Sequence, residues 1–89
     1  MHITTIIYSF YYDKVIIKTP CEIKKETDKY YCTKDKRHLK TNIGKPILKH
    51  NSNYPYIKIV MIDADEQTLK NELSKWFIDK ANKVLEAVE

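Results

Sequence analysis

The sequence predicts an α+β domain: an antiparallel sheet or partly rolled barrel of four to five strands, with one long C-terminal amphipathic helix packed on it. Three observations carry that reading. Residues 1–62 hold runs of Ile, Val, Thr, Tyr and Phe separated by turn residues, a composition that suits pleated strands. From Asp63 onward the apolar residues recur every three or four positions, the period of a helix with one buried stripe. The charge changes at the same place: 12 Lys/Arg against 5 Asp/Glu in residues 1–62, but 4 against 7 in residues 63–89, within a total of +4.

The elements follow in chain order. Residues 3–12 (ITTIIYSFYY) read as a long strand with apolar groups on both faces, so it is central or covered on both sides. Asp13-Lys14 gives a tight turn, and Val15-Ile16-Ile17 a second strand that Pro20 interrupts. A hairpin comes next, with Thr27-Asp28 as its loop. Glu26 then faces Lys29, Ile23 faces Cys32, and Cys21 and Cys32 become diagonal neighbours, a poor geometry for a disulfide. Residues 34–53 are polar and irregular, pinned by Leu39, Ile43, Ile47 and Leu48, with room for one short strand; Asn51-Ser52-Asn53 is a loop signal. Tyr54–Ile62 (YPYIKIVMI) reads as a buried central strand with Pro55 near its start.

The final segment opens on Asp63 with Glu66, the spacing of a capping box, and Asp65 is a rival cap. Leu69, Leu73, Trp76, Phe77, Ala81, Val84, Leu85 and Val88 form the apolar stripe, with Trp76 and Phe77 as its anchors. A helix of about 24 residues is about 36 Å long. Typical strands span about 17–20 Å, so the last turns overhang the sheet.

Length and composition bound the function. Eighty-nine residues make one domain, a β-rich basic body over 1–62 joined to the helix over 63–89, and a chain this short has a thin core. No run approaches the roughly 20 apolar residues of a membrane span, and the N-terminus lacks the pattern of a signal peptide, so the expectation is a cytoplasmic protein with no membrane partner. Lys, Ile, Tyr and Asn are favoured over Arg, Ala and Gly, the bias of an AT-rich genome. Two cysteines are too few for a disulfide scaffold.

Motifs for chemistry are sparse. Cys21, Cys32, His38 and His50 have the donor types of a zinc site, but ten residues separate the cysteines, where a knuckle needs about two to four. No metal or cofactor is expected. Ser9, Ser52 and Ser74 lack a flanking nucleophile motif. Cys32 with His38 or His50 remains a pairing that only the fold decides, and no enzyme is expected. Capping and the helix dipole account for Asp63, Asp65 and Glu66 without a metal.

The strongest binding signal is cationic. Lys34, Lys36, Arg37, His38, Lys40, Lys45 and Lys49 cluster after Tyr30 and Tyr31 and before Tyr54 and Tyr56. Lysines neutralise phosphates and tyrosines stack on unpaired bases; a solvated lysine-rich loop has the same composition. The expected partner-binding residues are Lys34, Lys36, Arg37, His38, Lys40 and Lys45, with Tyr31 as the aromatic contact. A homodimer through the helix overhang at Ile78 and Leu85, or through an exposed edge strand, is a further expectation.

The stretch KETDKYYCTKDKRHLKTNIGKPIL (residues 25–48), with its T-x-K-Y-Y and K-T-x-I-G-K runs, resembles segments of small phage and prophage accessory proteins from AT-rich bacteria. The D-A-D-E-Q-T-L-K run entering the helix is similar to helix entries in such proteins. The resemblance covers about a third of the chain and carries no catalytic residue across. It implies a non-enzymatic protein that binds and inhibits or redirects a host protein or ribonucleoprotein complex, such as a CRISPR effector or another defence nuclease. A single-stranded nucleic-acid-binding module using the same Lys/Tyr patch is the alternative.

Overall fold

The structure is a computed structural model that describes residues 1–49 and 53–87. Its elements in chain order are β1 (His2–Ser9), β2 (Lys14–Ile17), β3 (Cys21–Glu22), β4 (Lys25–Glu26), β5 (Tyr30–Cys32), β6 (Arg37–Leu39), a 3-10 turn (Lys40–Asn42), β7 (Ile47–Lys49), β8 (Tyr56–Ile62) and α1 (Glu66–Ala87). The fold is α+β, with antiparallel sheets and one C-terminal helix. Five strands make the main sheet in the order β2-β1-β8-β7, with β3 beside the other end of β1, and β4-β5-β6 make a separate three-stranded sheet. The main sheet keeps two open edges instead of closing into a barrel.

β1 and β8 pair over seven residues, from Ile3 opposite Ile62 to Ser9 opposite Tyr56. Alternation then sorts their side chains. Ile6, Tyr8, Ile57, Ile59 and Met61 face the helix, where Ile6, Ile57, Ile59, Leu69 and Leu73 form the core. Ile3, Thr5, Ile7, Lys58 and Val60 face the other way. Leu69 and Leu73 dock the helix at mid-sheet, and its next turn is held by rings: Phe77 meets Tyr8 edge-on at 5.1 Å and Trp76 lies 6.2 Å from Phe10. Trp76 is half-buried and Phe77 exposed at its margin. Beyond them the helix runs past the sheet, leaving Ile78, Val84 and Leu85 about 60–70% exposed, as the length comparison predicted.

Both edges of the main sheet are broken by proline. Ile6 faces Ile17 but Ile3 faces Cys21, so Thr19 and Pro20 lie opposite Thr4 alone. On the far edge Ile47 faces Lys58, yet the Gly44 N–H bonds to the Val60 carbonyl at 2.7 Å, so Lys45 and Pro46 lie opposite Ile59 alone. Each slip is a bulge at a residue that cannot donate to a ladder. Prolines and lysines along both edges discourage pairing with another chain.

Several details depart from the sequence reading. The first strand ends at Ser9, not Tyr12: the Tyr12 N–H donates to Ser9 Oγ at 3.2 Å, and Asp13 turns the chain at φ 50°. The Tyr8 hydroxyl donates to Asp13 in the same loop. The hairpin loop is Asp28-Lys29, with Glu26 opposite Tyr31 and Lys25 opposite Cys32, because Thr27 closes the turn by accepting the Tyr30 N–H on its hydroxyl at 3.1 Å. The two cysteines are free and sit in different sheets, so they are not diagonal neighbours. Asp65, not Asp63, caps the helix: its carboxylate accepts the Thr68 N–H at 2.7 Å. Asp63 has φ 51° and accepts the His2 N–H at 2.9 Å, tying the helix entry to the start of β1. His50, the Asn51-Ser52 part of the expected loop and Val88 lie outside the described residues.

Candidate functional site

Lys58 is the residue around which the open face is built. It interrupts the apolar run of β8, where alternation sends it away from the helix. Ile7 on β1 and Ile47 on β7 stand directly across from it, so its stem lies among apolar neighbours. It is half-buried. Burial comes first, and the charges of Lys36, Lys18 and Lys49 second, in holding its pKa below the ordinary lysine value.

The small sheet brings the other cations over this floor. Two short hairpins are closed the same way: Thr27 accepts the Tyr30 N–H, and Thr33 accepts the Lys36 N–H at 3.3 Å. Strand alternation then divides the side chains. Tyr31 faces His38 across β5 and β6, while Tyr30 faces Leu39 and Cys32 faces Arg37 on the opposite side. His38 is half-buried, and burial, followed by Lys58 and Lys36, holds its pKa below the usual histidine value. It is therefore neutral near pH 7, hemmed in by cations.

A two-lobed cleft separates the sheets. The wider lobe, about 290 Å³, is bounded by Tyr30, Arg37, Asn42, Ile43, Ile47 and Lys49. The narrower lobe, about 150 Å³, is bounded by Ile3, Thr5, Lys18, Cys21, Thr33 and Lys36. His38, Lys58 and Val60 line both. Among the described lining residues Asp35 is the only carboxylate. Among the described residues none of Lys18, Lys36, Lys49 and Lys58 takes part in an ion pair. Like charges that outnumber their counter-charges are unfavourable for the fold and favourable for an anion.

The sequence-predicted residues divide between this cleft and the surface around it. Lys36, Arg37 and His38 line it. Lys34 sits on the exposed loop joining β5 to β6, and Lys45 on the edge bulge. Lys40 is committed elsewhere: its ammonium pairs with Glu26 at 2.6 Å and lies 4.9 Å over the Tyr31 ring, and the carboxylate raises its pKa above the ordinary value. Both rings carry a cation: Tyr31 the Lys40 ammonium, and Tyr30, the tyrosine that lines the cleft, the Arg37 guanidinium at 4.9 Å. Lys18 and Lys58 were missed. The available signal was the lone charge inside YPYIKIVMI, which a strand buried on both faces would not carry.

Cys32 and His38 point to opposite faces of the small sheet, so they do not form a nucleophile–base pair. Among the described residues no three of His, Cys, Asp and Glu converge in a way that could hold a metal ion, and no helix is long and apolar enough to cross a membrane.

No family model, curated protein or solved structure matches this chain. The chemistry of the cleft is therefore read from its own residues.

Proposed function

We propose that this chain is a non-enzymatic binding protein that occupies a nucleic-acid-bearing face of a host ribonucleoprotein complex, seating phosphates in the cleft between its two sheets. The observation that carries this reading is the half-buried Lys58, ringed by Lys18, Lys36 and Lys49 without an ion-pair partner among the described residues. Lysine ammoniums act on phosphate as point charges. The acidic helix lies on the other face of the sheet, so its carboxylates do not offset this charge, and Asp35 is the one carboxylate among the described lining residues. In the phage-accessory setting that the sequence resemblance implies, such occupancy inhibits or redirects a defence nuclease by competing at its guide or target strand. A free single strand is the second reading, favoured by Tyr30 in the cleft wall.

Titration of a fluorescently labelled single-stranded oligonucleotide, followed by anisotropy over a range of salt, tests the reading. About four neutralised phosphates give a slope of log affinity on log salt near −3. Binding that ignores salt, or none at low salt, contradicts it. Capture of the host complex from lysate that is lost after ribonuclease treatment tests the partner.

A further inference from the structure

The helix carries a second apolar line that the sheet does not use. Leu69 and Leu73 belong to the core. At about 100° per residue, Ile78 lies about 180° round the axis from Leu69, on the back of the helix, and it is 59% exposed. Ser74, Ile78, Ala81 and Leu85 follow one another at intervals of four, three and four residues, the spacing of a seam that packs on another helix. All four are exposed, and Phe77 and Val84, also exposed, border the seam on one flank. Lys80 leans away from it, over the Trp76 ring at 5.9 Å.

We propose that this seam is the interface of a two-fold dimer, in which the helix overhangs of two copies pack antiparallel. The seam is complementary to itself. Ile78 of each copy falls on Ala81 of the other, and Leu85 on Ser74, so each large side chain meets a small one and the two-fold axis makes every contact twice. The same register brings Phe77 of one copy beside Val84 of the other. On the opposite flank it sets Lys75 and Glu86 of the other copy about 3 Å apart along the axis, two turns of opposite charge side by side.

Charge also selects a second copy in this orientation. Residues 78–86 balance Asp79 and Glu86 with Lys80 and Lys83, so two overhangs do not repel each other and neither attracts a strongly charged partner. A membrane surface would call for a lysine-rich polar face. A parallel pair would hold two bodies of net +7, from 12 Lys/Arg and 5 Asp/Glu in residues 1–62, side by side; the antiparallel pair carries them to opposite ends. Edge-to-edge pairing of the sheets would set Lys14 and Lys18 of one copy against those of the other. The interface shares no residue with the cationic cleft and does not rest on it.

Sedimentation equilibrium of the full chain without nucleic acid tests the dimer. The overlap is short, at the small end of interfaces, under about 1,200 Å², so association should appear between about 10 µM and 1 mM. The mass is expected to rise from 10.6 kDa toward twice that value and stop. Ile78→Glu and Leu85→Glu alter exposed positions and should stay folded by circular dichroism while remaining single chains throughout. Lys75→Glu and Glu86→Lys should each weaken association about three- to tenfold, and the double variant should restore it, because the swapped charges meet again across the two-fold axis. A single-chain mass at 1 mM overturns the dimer, as does association that Ile78→Glu and Leu85→Glu leave unchanged. A mass that climbs past two chains overturns the closed two-fold pair, and a double variant no tighter than the single ones overturns the antiparallel register.

Discussion

On one side of β8, Ile57 and Ile59 are fully buried under Leu69 and Leu73; on the other, two residues of the same strand, Lys58 and Val60, line an open cleft. The two faces of one sheet are finished in opposite ways. The helix face is apolar, close-packed and sealed by the Tyr8, Phe10, Trp76 and Phe77 rings. The cleft face has apolar walls but lysines where a second apolar layer would otherwise close, and its small sheet stands over it without filling it. Stability resides mainly on the first face. The second retains a charge arrangement that the fold alone has no reason to favour, which is the kind of local inconsistency expected at a binding site.

That contrast can be broken at either face. The largest effect is expected under the helix. Leu69→Ala or Ile59→Ala removes a fully buried branched side chain and costs about 2–5 kcal/mol in denaturant unfolding, a large part of the 5–15 kcal/mol typical of a folded domain. Trp76→Ala should follow at about 2–3 kcal/mol, below the full range for a buried Trp because its ring is half-exposed. If either substitution is silent, the helix face is not where the fold is held.

Smaller effects sharpen the comparison. Asp65→Ala should lower the melting temperature by a few degrees through loss of the helix cap. The Thr68 hydroxyl and N–H hold the Asp65 carboxyl below its ordinary pKa. Its folded pKa lies below its unfolded one, so its contribution is present above about pH 4 and is lost as pH falls through the folded value; a thermal melt series from pH 5 to pH 2 would show wild type converging on the variant. On the cleft face the sign reverses. A cation whose pKa is lowered by burial and by like charges disfavours folding at neutral pH, so Lys58→Met should raise the melting temperature by about 2–4 °C while weakening oligonucleotide binding. A drop in melting temperature would mean that the lysine holds the sheets together. Least in size, the affinity for phosphate should rise as pH falls below the usual histidine range, as His38 gains a proton and adds a cation; His38→Gln should abolish that rise in binding isotherms at pH 7 and pH 5.

The sequence carried the helix face almost completely. The spacing of Leu69, Leu73 and Trp76, the two-faced alternation of β1 and the long apolar run of β8 are strong local signals, and they define the core. The second sheet was harder because its strands are two or three residues long and its loops contain no glycine, so Thr27 and Thr33 close turns that composition does not announce. For the same reason the cationic residues of 34–49 were recognisable as a group while their roles were not. Only register places Glu26 next to Lys40, covering Tyr31 with that ammonium, and sets the chain over Lys58 and Lys18, which are distant in sequence.

The central claim is that the two faces divide the labour, one holding the fold and the other receiving an anionic strand. Chemical-shift mapping during titration with a single-stranded oligonucleotide tests it most directly. The account predicts that amide shifts concentrate at Lys36–Leu39 and Lys58–Val60 and spare Leu69–Leu73. Shifts centred instead on the exposed helix overhang at Ile78–Leu85, with the cleft residues unmoved, would contradict it.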